Sequence, residues 1–403
     1  MTSGRPYFFE SLNPPRSEVN SARLRKLILY VQYTNPGAYP PLEHSSRILA
    51  DRGWKVHFLG TGSQGANALQ FEPYRNIAVN KMRFCPAGWK QKLHYAAYCF
   101  WVLGWALFHR PRWVYASDPL SCPVALLLSF IPGVRVIYHE HDSPAEQRGD
   151  GSETWVSRSR RWLASRAKAC ILPNYARGEI FRAQVGRSIN LTCVWNCPGS
   201  YEALETEKDT KNDFWILYHG SIVPERLPLS VLEALGRVPE SIKLRIVGYE
   251  TAGSAGYVDE IIETSKRLGI RHRLQIIISV PTRDALLALC RECHVGLSLM
   301  PMSTSDVNME QMVGASNKPF DYLACGLALL VSDLPEWRDT YVEAGYGLTC
   351  IPEQIDSIAS ALEWFWAHRE STREMGRRGR ERILAEWNYE RQFAPVLNML
   401  ESA

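Results

Sequence analysis

The stretch YHGSIVPERLP, from Tyr218 to Pro228, places two small residues and one arginine directly after an apolar run. Gly220 and Ser221 follow what we predict to be a buried strand, at a point where backbone can approach a ligand closely. Arg226 comes six residues after Gly220 and just before a predicted helix. A guanidinium there can bind two oxygens of a diphosphate at once. The spacing therefore predicts a phosphate site, with a surface arginine in a loop as the alternative.

A second anion site is predicted in GASNKPFDYLACG, from Gly314 to Gly326. Its polar entry precedes an amphipathic helix with Pro319 in the first turn, and free backbone N–H groups at such an end attract anions. Asp321 lies one turn further on, where a carboxylate can accept hydrogen bonds from a ribose diol or only complement the helix dipole. Lys318 either contacts phosphate or lies on a solvated face. The segment thus indicates a site for a phosphorylated ligand.

Polar side chains also follow predicted strands in the first half of the chain. In VIYHEHDSP, residues His139 to Asp142 come directly after a strand. Histidine with adjacent carboxylates can bind metal, but this spacing favours a hydrogen-bonding histidine that faces a ligand. In YTNPGAYPP, after the first strand, Asn35, Pro36 and Gly37 form a turn at the same edge. A phosphate of a bound ligand can pass over such a turn.

The motif CRECH, with Cys290, Cys293 and His294, has the spacing of a c-type haem attachment site. That chemistry requires an exported chain, and the N-terminal residues do not resemble an export signal. The motif also ends a helical pattern that leads into a strand. We therefore interpret its cysteines as small apolar residues on a buried helix face.

The motif GTGSQG, from Gly60 to Gly65, matches the dinucleotide pattern G-x-G-x-x-G. It follows the second predicted strand rather than the first, a weak helix follows it, and the expected acidic residue is missing. A glycine-rich surface turn is the favoured interpretation, and an NAD(P)-dependent oxidoreductase is the alternative.

The composition is that of a globular protein of two domains. The chain has 403 residues, of which 46% are hydrophobic and 22% charged. Its net charge of +4 suits anionic ligands or an anionic membrane surface and is too small to indicate nucleic acid. Ten cysteines without a secretory signal indicate free thiols in the cytoplasm.

No apolar run reaches the roughly 18–20 residues of a membrane-spanning helix. The longest runs, Tyr95–Phe108 and Pro123–Val134, fit buried helices better. The wider segment Lys81–Trp113 mixes lysine and arginine with many aromatic residues. It predicts either a peripheral membrane contact that serves a lipid-linked acceptor or a buried helix with a basic flank.

Strands and helices alternate in each half of the chain, which predicts an α/β fold with two doubly wound parallel sheets. In such folds the ligand lies at the carboxyl ends of the strands, so two such domains predict a cleft between them. The predicted boundaries are a polar tail at 1–23, a first domain at 24–197, a linker at 198–213, a second domain at 214–385 and a C-terminal helix at 386–403 that crosses back to the first domain.

With these motifs in this order, the sequence resembles the family 4 glycosyltransferases, which have the GT-B fold. The resemblance spans about Lys26 to Leu400 and is strongest in YHGSIVPERLPLSVLEAL, LRIVGYE and SNKPFDYLACGLALLVSDLPEW. It implies a nucleotide-diphosphate sugar held mainly by the second domain and an acceptor held mainly by the first. It also implies transfer with retention at the anomeric carbon, without a metal or other cofactor.

The resemblance also implies roles for single residues. Arg226 matches the basic residue on the donor diphosphate, Asp321 the acid on the nucleotide ribose, and His141 a histidine near the reaction centre. Gly37 matches the glycine turn after the first strand. The predicted catalytic residues are His141 and Arg226, and the predicted donor-binding residues are Gly37, Gly220, Ser221, Arg226, Gly248, Ser316, Asn317, Lys318 and Asp321.

Two positions depart from the family pattern. Ser221 stands where the family often has a second basic residue, and Val313 stands eight residues before Asp321, where it often has an acid. Sugar contacts of the missing acid must then come from elsewhere, and we expect backbone amides around Gly314–Asn317 to supply them. The departures leave a catalytically inactive nucleotide-sugar-binding or scaffold protein as an alternative.

The resulting expectation is glycosyl transfer to a hydroxyl acceptor in surface polysaccharide or glycoconjugate synthesis. The partners are a nucleotide sugar and a sugar or lipid-linked acceptor, with no nucleic acid. The expected location is the cytoplasm, including the inner face of the membrane.

Overall fold

The computed structural model describes residues 26–63, 69–144, 154–186, 188–205, 213–278 and 280–402. Within these ranges the chain forms two separate parallel sheets with helices packed on their faces. The predicted α/β architecture with two doubly wound domains is therefore confirmed. The polar tail at 1–23 lies outside the described residues, as does most of the charged part of the linker, at 206–212.

The first sheet has seven strands in the order β3-β2-β1-β4-β5-β6-β7, and every pairing is parallel. Its strands are β1 (Leu27–Val31), β2 (Lys55–Thr61), β3 (Ile77–Met82), β4 (Trp113–Ser117), β5 (Arg135–His139), β6 (Ala169–Leu172) and β7 (Leu191–Cys193). Its helices are α1 (Pro40–Asp51), α2 (Trp89–His109), α3 (Cys122–Leu128), α4 (Trp155–Arg166) and α5 (Tyr175–Val185).

The second sheet has six strands in the order β10-β9-β8-β11-β12-β13, also parallel. Its strands are β8 (Phe214–Ile222), β9 (Ile242–Glu250), β10 (Leu274–Ile278), β11 (Val295–Ser298), β12 (Ala328–Ser332) and β13 (Gly347–Cys350). The helices are α6 (Ser230–Leu235), α7 (Tyr257–Arg267), α8 (Arg283–Arg291), α9 (Val307–Glu310), α10 (Asn317–Ala324), α11 (Pro335–Trp337), α12 (Ile355–Ala367), α13 (Arg369–Ala385) and α14 (Tyr389–Ser402).

Two edge strands, β3 and β13, were not predicted from the sequence. Strand β3 is half exposed and carries Asn80 and Lys81, so it lacks the continuous apolar run of a strand buried on both faces. Strand β13 spans only four residues. Short or polar edge strands give little periodicity to read, although they prevent edge-to-edge pairing.

The last helix packs on the first sheet rather than the second. Tyr389, Phe393 and Val396 of α14 are buried among residues of α1 and the first-sheet strands. The preceding helix, α13, packs on α10, where an added Cβ at Gly379 would lie 2.3 Å from the Leu323 side chain. This close approach fixes α10, whose N-terminus faces the cleft.

Helix α2 corrects the expectation that the run Tyr95–Phe108 forms a buried helix. Its buried residues are Tyr98, Val102 and Ala106, which form one narrow face, and most of the others are half-buried or exposed. Across the described residues, no helix is both long and apolar enough to span a membrane.

Candidate active site in the cleft between the two sheets

A cleft of about 640 Å³ lies between the carboxyl ends of the two sheets. Residues that follow strands of both sheets line it, among them Asn35, Thr61 and His141 on one side and Gly220 and Tyr249 on the other. This is the position expected for a ligand in open α/β sheets. Several strand-end residues that were predicted from the sequence thus meet in one site, namely Asn35, His141, Gly220, Ser221 and Arg226.

Arg226 contributes a positive charge to the second-domain wall of the cleft. Its Nη1 atom donates to Oγ of Ser221 at 3.4 Å, and its Nη2 atom lies 3.4 Å from Sδ of Met309. The Nε–H group is buried and has no hydrogen-bond partner, and no described carboxylate forms an ion pair with this arginine. An arginine held without a counter-charge at a cleft wall is suited to bind an anion.

Gly220 lies near the carboxyl end of β8 and has a φ of +106°, a backbone conformation that favours glycine. An added Cβ would lie 3.0 Å from Cε and 3.4 Å from Nζ of Lys318. The backbone conformation therefore favours glycine, and an added side chain would also contact the lysine that lies over it.

Lys318 is only 7% exposed, so it does not lie on a solvated face. Its Nζ atom lies 5.4 Å from the centre of the Tyr218 ring, a cation–π distance. Burial, followed by the charge of Arg226, lowers the pKa of Lys318 well below its usual value, while Asp321 opposes this shift. Two cationic side chains thus share one part of the cleft with little compensating negative charge.

The N-terminus of α10 faces the same part of the cleft. Ser316 is its N-cap residue but makes no side-chain capping bond, and both Ser316 and Asn317 line the cleft. The backbone N–H groups of Ala315 and Ser316 donate to the carbonyl of Met312 at 3.0 and 2.8 Å. The amides available to a ligand are consequently the first ones of the helix, not those of the whole Gly314–Asn317 segment.

Asp321 is buried in an ion pair that the sequence did not reveal. Arg283 donates from Nη2 to Oδ1 at 2.6 Å and from Nη1 to Oδ2 at 3.3 Å, and Nε2 of His219 lies 3.5 Å from Oδ2. Burial raises the pKa of Asp321, and the Arg283 charge opposes this. The carboxylate still lines the cleft, but Arg283 determines its orientation.

Arg283 also binds Glu202, through Nε at 2.5 Å and Nη2 at 3.1 Å. Glu202 belongs to the segment predicted as a polar linker, yet it is 3% exposed. Its Oε2 atom lies 3.4 Å from Nε2 of His44 in α1. Burial alone would raise the pKa of Glu202, but Arg283 and His44 lower it to about 2. This buried charge network joins the two domains beneath the cleft.

His141 lines the first-domain wall of the cleft. Its Nε2 atom lies 3.1 Å from Oγ of Ser117, its backbone N–H donates to Oδ1 of Asp118 at 3.0 Å, and its carbonyl accepts from Arg177 at 2.9 Å. The ring centre lies 5.2 Å from that of Tyr39. Burial lowers the pKa of His141 to about 3, so the ring is neutral near pH 7.

The carboxylates on either side of His141 pair with arginines, and Asp142 also lines the cleft. Glu140 is fully buried and accepts from Arg160 at 2.5 and 2.7 Å, while Asp142 lies 3.6 Å from Arg177. Asp118, which holds the His141 backbone, has a φ of +64°, which is rare for a residue other than glycine. Nowhere in the described ranges does a group of three or more His, Cys, Asp or Glu side chains form a metal-binding cluster.

Two glycines of the predicted donor set do not line the cleft. An added Cβ at Gly248 would lie 1.9 Å from the carbonyl oxygen of Gly220, its partner on the neighbouring strand. An added Cβ at Gly37 would lie 2.7 Å from the carbonyl oxygen of Leu69. Both glycines permit close backbone packing behind the cleft wall, so the structure gives them an indirect role.

In the part of the chain that the structure describes, the motifs CRECH and GTGSQG, which resemble a haem attachment site and a dinucleotide site, do not have the surroundings that such sites require. Cys290 lies on α8 and Cys293 in the turn after it, and both are fully buried and form no disulfide. The interpretation as small residues on a buried helix face is therefore confirmed for Cys290, whereas Cys293 is buried outside the helix. In GTGSQG, the residues Thr61, Gly62 and Ser63 line the cleft, and the last two lie outside the described residues. No helix is formed over residues 69–76, and the next element is strand β3. Among the described residues, therefore, no helix of the kind that a dinucleotide site requires follows the motif.

Arg177 holds the two cleft walls together near His141. Besides the His141 carbonyl, it donates to the carbonyls of Gln311 at 3.0 Å and Asn308 at 2.6 Å, across the domain interface. The Asn308 side chain in turn binds the backbone of Ser143 through two bonds of 2.9 Å. The domains are thus closed on one side of the cleft.

Comparisons with known sequences match both halves of the chain. The profile of a Glycosyl transferase 4-like domain matches residues 40–197, and the profile of a Glycosyl transferase-like domain matches residues 229–398. The chain belongs to the family 4-like glycosyltransferases. No curated protein sequence matches it.

Solved structures confirm the GT-B fold of this glycosyltransferase. The Anabaena HepE structure in complex with UDP and glucose has a TM-score of 0.69, at 17% identity over 94% of this chain and 100% of that one. Sucrose-phosphate synthase from Thermosynechococcus elongatus has a TM-score of 0.70, at 13% identity over 94% and 98%. WaaG, a glycosyltransferase involved in lipopolysaccharide biosynthesis, has a TM-score of 0.63, at 14% identity over 93% and 100%.

The two departures from the family pattern have different surroundings in the glycosyltransferase. At Ser221 the hydroxyl contacts Arg226, and the second cation near Gly220 is Lys318, from another segment. Val313 is 3% exposed and packs in the core of the second domain. Its carbonyl accepts from the Asn174 side chain at 2.8 Å, so this position fixes the domain interface.

Sequence reasoning missed five buried or half-buried residues of the site, namely Arg283, Glu202, His219, Tyr39 and Asp118. A strand-end position was an available signal for three of them, because Asp118 directly follows β4, His219 lies near the end of β8 and Arg283 comes shortly after β10. The positions of Glu202 and Tyr39 at the site follow from three-dimensional packing.

Proposed function

We propose that this glycosyltransferase moves a sugar from a nucleotide-diphosphate sugar to a hydroxyl acceptor, with retention at the anomeric carbon. The observation that carries the proposal is the pair of cations, Arg226 and Lys318, next to the N-terminus of α10. An arginine without an ion-pair partner among the described residues and a lysine with a depressed pKa are costly in a free protein. A diphosphate would supply the missing charge and hydrogen-bond acceptors.

The donor class is supported by both geometry and likeness. HepE has been solved with UDP and glucose and, at a TM-score of 0.68, with UDP-glucose. The cleft of about 640 Å³ is within the usual range of sites for ligands of this size. We assign the ribose hydroxyls to Asp321, which lines the cleft and is oriented by its ion pair with Arg283.

The chemistry follows from where negative charge develops. As the anomeric bond breaks, charge accumulates on the leaving diphosphate, where Arg226, Lys318 and the first amides of α10 stabilise it. The acceptor hydroxyl attacks from the face of the leaving group and loses its proton to a phosphate oxygen of the donor. His141 is neutral and hydrogen-bonds the donor sugar. The proposed reaction uses no metal or other cofactor.

The acceptor and the biological role are the broader part of the proposal. We infer that the acceptor is a sugar or a lipid-linked hydroxyl, bound by the first-domain wall that includes Tyr39 and His94. We assign the enzyme to surface polysaccharide or glycoconjugate synthesis in the cytoplasm. None of the ten cysteines forms a disulfide, which fits a reducing compartment.

The donor is tested by a thermal-shift screen with UDP, GDP and ADP, because a ligand that binds the folded state raises its melting temperature. Turnover is then measured with sugars of the nucleotide that binds. NMR of the product, which reports whether the anomeric configuration is kept, tests retention. An inverted product would contradict that part of the proposal alone.

The substitution Arg226→Ala should reduce turnover by roughly 100-fold or more, because it removes a donor to the transition-state charge. Arg237→Ala is the matched control, since Arg237 is exposed and pairs with Asp356 away from the cleft. Near-normal turnover of the Arg226 variant would remove this residue from the mechanism. If the unmodified protein binds a nucleotide sugar but shows no turnover, the result would favour the alternative of an inactive nucleotide-sugar-binding or scaffold protein.

A further inference from the structure

Helix α2 carries an exposed apolar stripe opposite its buried face. Trp89, Leu93, Phe100 and Leu107 are 69%, 64%, 74% and 59% exposed. Leu93, Phe100 and Leu107 lie 4, 11 and 18 positions after Trp89. At 3.6 residues per turn, this spacing places all four side chains within about 40° of one line along the helix. The buried residues begin nine positions after Trp89, on the opposite side. Four large apolar side chains on one line are more than scattered surface residues would give.

The two helices that pack beside α2 on the same face of the first sheet also expose apolar side chains. On α3 and the turn after it, Leu127 and Phe130 are exposed, and on α4 Trp155 and Trp162 are exposed. We call the outer surface of α2, α3 and α4 the apolar-basic face.

Basic residues predominate in the described segments that form this face. Arg75 is paired with Asp51 of α1, and the acidic residues Glu146, Asp150 and Glu153 lie in the stretch of sequence before α4 that is outside the described residues. Residues 73–117 contain no Asp or Glu and seven basic residues, which are Arg75, Lys81, Arg83, Lys90, Lys92, Arg110 and Arg112. Residues 154–168 likewise contain no Asp or Glu, and their basic residues are Arg158, Arg160, Arg161, Arg166 and Lys168. Of these, Arg160 is buried against Glu140. The guanidinium of Arg166 lies 4.1 Å from the centre of the Phe130 ring, so charged and aromatic groups are interleaved.

We propose that the apolar-basic face docks on an anionic lipid bilayer. Exposed aromatic and leucine side chains beside lysine and arginine are typical of helices that lie in the interface of a membrane. Helix α2 has 21 residues but does not qualify as a spanning helix, so it lies along the surface. A second copy of the chain fits poorly, because two faces on which basic residues predominate repel each other.

The orientation of α2 connects this face to the cleft. Gln91 and His94 of its first turns line the cleft, while Trp89 and Leu93 of the same turns point outward. Phe84 and Leu120 also line the cleft and are 41% and 42% exposed. Docking places this mouth of the cleft next to the headgroups, where a lipid-linked hydroxyl acceptor is presented. This second step rests on the proposed function, whereas the docking itself does not.

The test is flotation of the full-length protein with vesicles of phosphatidylcholine alone and with 30% phosphatidylglycerol. We expect binding to the anionic vesicles that weakens as salt screens the charges. Replacement of Trp89, Phe100 and Leu107 by serine should reduce the vesicle affinity by at least about tenfold. The matched control replaces the exposed Leu268, Ile278 and Leu384 of the second half of the chain by serine and should bind like the unmodified protein.

The charge contribution has its own pair of variants. Lys90→Gln with Lys92→Gln should weaken binding by about tenfold or more, given roughly fivefold for each basic residue near an anionic surface. Arg373→Gln with Arg377→Gln, on α13, is the control, because these arginines pair with glutamates of their own helix. Equal binding by the Lys90/Lys92 variant and the unmodified protein would overturn the electrostatic part of the proposal.

Three further outcomes would overturn docking. These are no flotation with anionic vesicles at low salt, unchanged binding by the serine variant, and a dimer in sedimentation that the same serine variant abolishes. The thermal shift with nucleotide is measured on each variant. A variant that keeps the nucleotide-induced thermal shift but no longer floats with vesicles is defective in docking alone. If nucleotide gives no thermal shift in the unmodified protein, the donor site is contradicted and the docking proposal is not.

Discussion

The Nη2 atom of Arg283 lies 2.6 Å from Oδ1 of Asp321 at the base of the cleft, and the same guanidinium holds Glu202. One arginine therefore neutralises two buried carboxylates, one from the helix at the donor site and one from the segment between the domains. Such a group contributes little net stability compared with apolar packing, but removing its cation leaves buried charges unpaired. Arg283 thus couples the orientation of the ribose-binding acid to the contact between the domains.

The substitution Arg283→Met should lower the free energy of unfolding by about 3–5 kcal/mol, because Asp321 and Glu202 remain buried without their cation. Urea denaturation near pH 7 measures this change. Arg237→Met breaks an exposed ion pair with Asp356 and should cost less than about 1 kcal/mol. If the loss comes from unpaired charge, adding Asp321→Asn and Glu202→Gln to the Arg283 variant should restore part of the stability. A further loss would show that packing, not charge, is responsible.

Lys318→Met should change stability and donor affinity in opposite directions. Removing a buried cation that shares its site with Arg226 should raise the melting temperature of the free protein. The same change removes a charge-assisted hydrogen bond to the diphosphate, so nucleotide affinity should fall by roughly 10-fold to 100-fold. Thermal unfolding with and without nucleotide measures both effects. Lys266→Met, at an exposed pair with Glu263, is the control and should change neither.

If Lys318→Met lowered both the melting temperature of the free protein and the nucleotide affinity, the lysine would be a structural residue. If it left affinity unchanged, Arg226 and the helix amides would suffice for the diphosphate.

The sequence was enough to predict the fold and the cleft-facing residues that follow strands or begin helices. Gly220, Arg226, Lys318 and His141 belong to this class, because strand ends converge at one edge of a parallel sheet. Glu202 could not be predicted, since it lies in a segment of mixed charge that reads as a linker and is buried only when both domains are in place. The role of Gly248 could not be predicted either, because glycine is needed there for a close backbone contact with the neighbouring strand.

Gly248→Ala tests that contact. The added methyl would lie 1.9 Å from the Gly220 carbonyl oxygen, so β8 and β9 must separate where the donor site begins. We expect a loss of about 1–3 kcal/mol or more in the free energy of unfolding, together with weaker nucleotide binding. Gly253→Ala is the control, since the nearest atom to its added methyl is the Thr251 hydroxyl, 4.0 Å away. If the Gly248 variant has normal stability and nucleotide affinity, β8 and β9 can accommodate the added methyl group without cost, and the prediction is wrong.

His44 predicts a pH dependence of stability with a defined sign. Burial lowers its pKa from 6.5 to about 4, Glu202 opposes this shift, and Arg283 and Arg47 add to it. Between these pH values the unfolded chain binds a proton that the folded chain does not, so the free energy of unfolding falls as the pH decreases from 6.5 toward 4. The contribution of this one histidine is at most about 1.4 kcal/mol per pH unit.

Other buried histidines change stability with the same sign, so the test of His44 is a difference between variants. His44→Phe keeps a ring of similar size and should reduce the proton uptake on unfolding near pH 5 by about one, measured from urea denaturation at several pH values. His272→Phe, at an exposed site, should leave that slope nearly unchanged. A slope that is the same in the His44 variant and in the unmodified protein would mean that this imidazole becomes protonated within the folded interface, where Glu202 would then hold it as a buried ion pair.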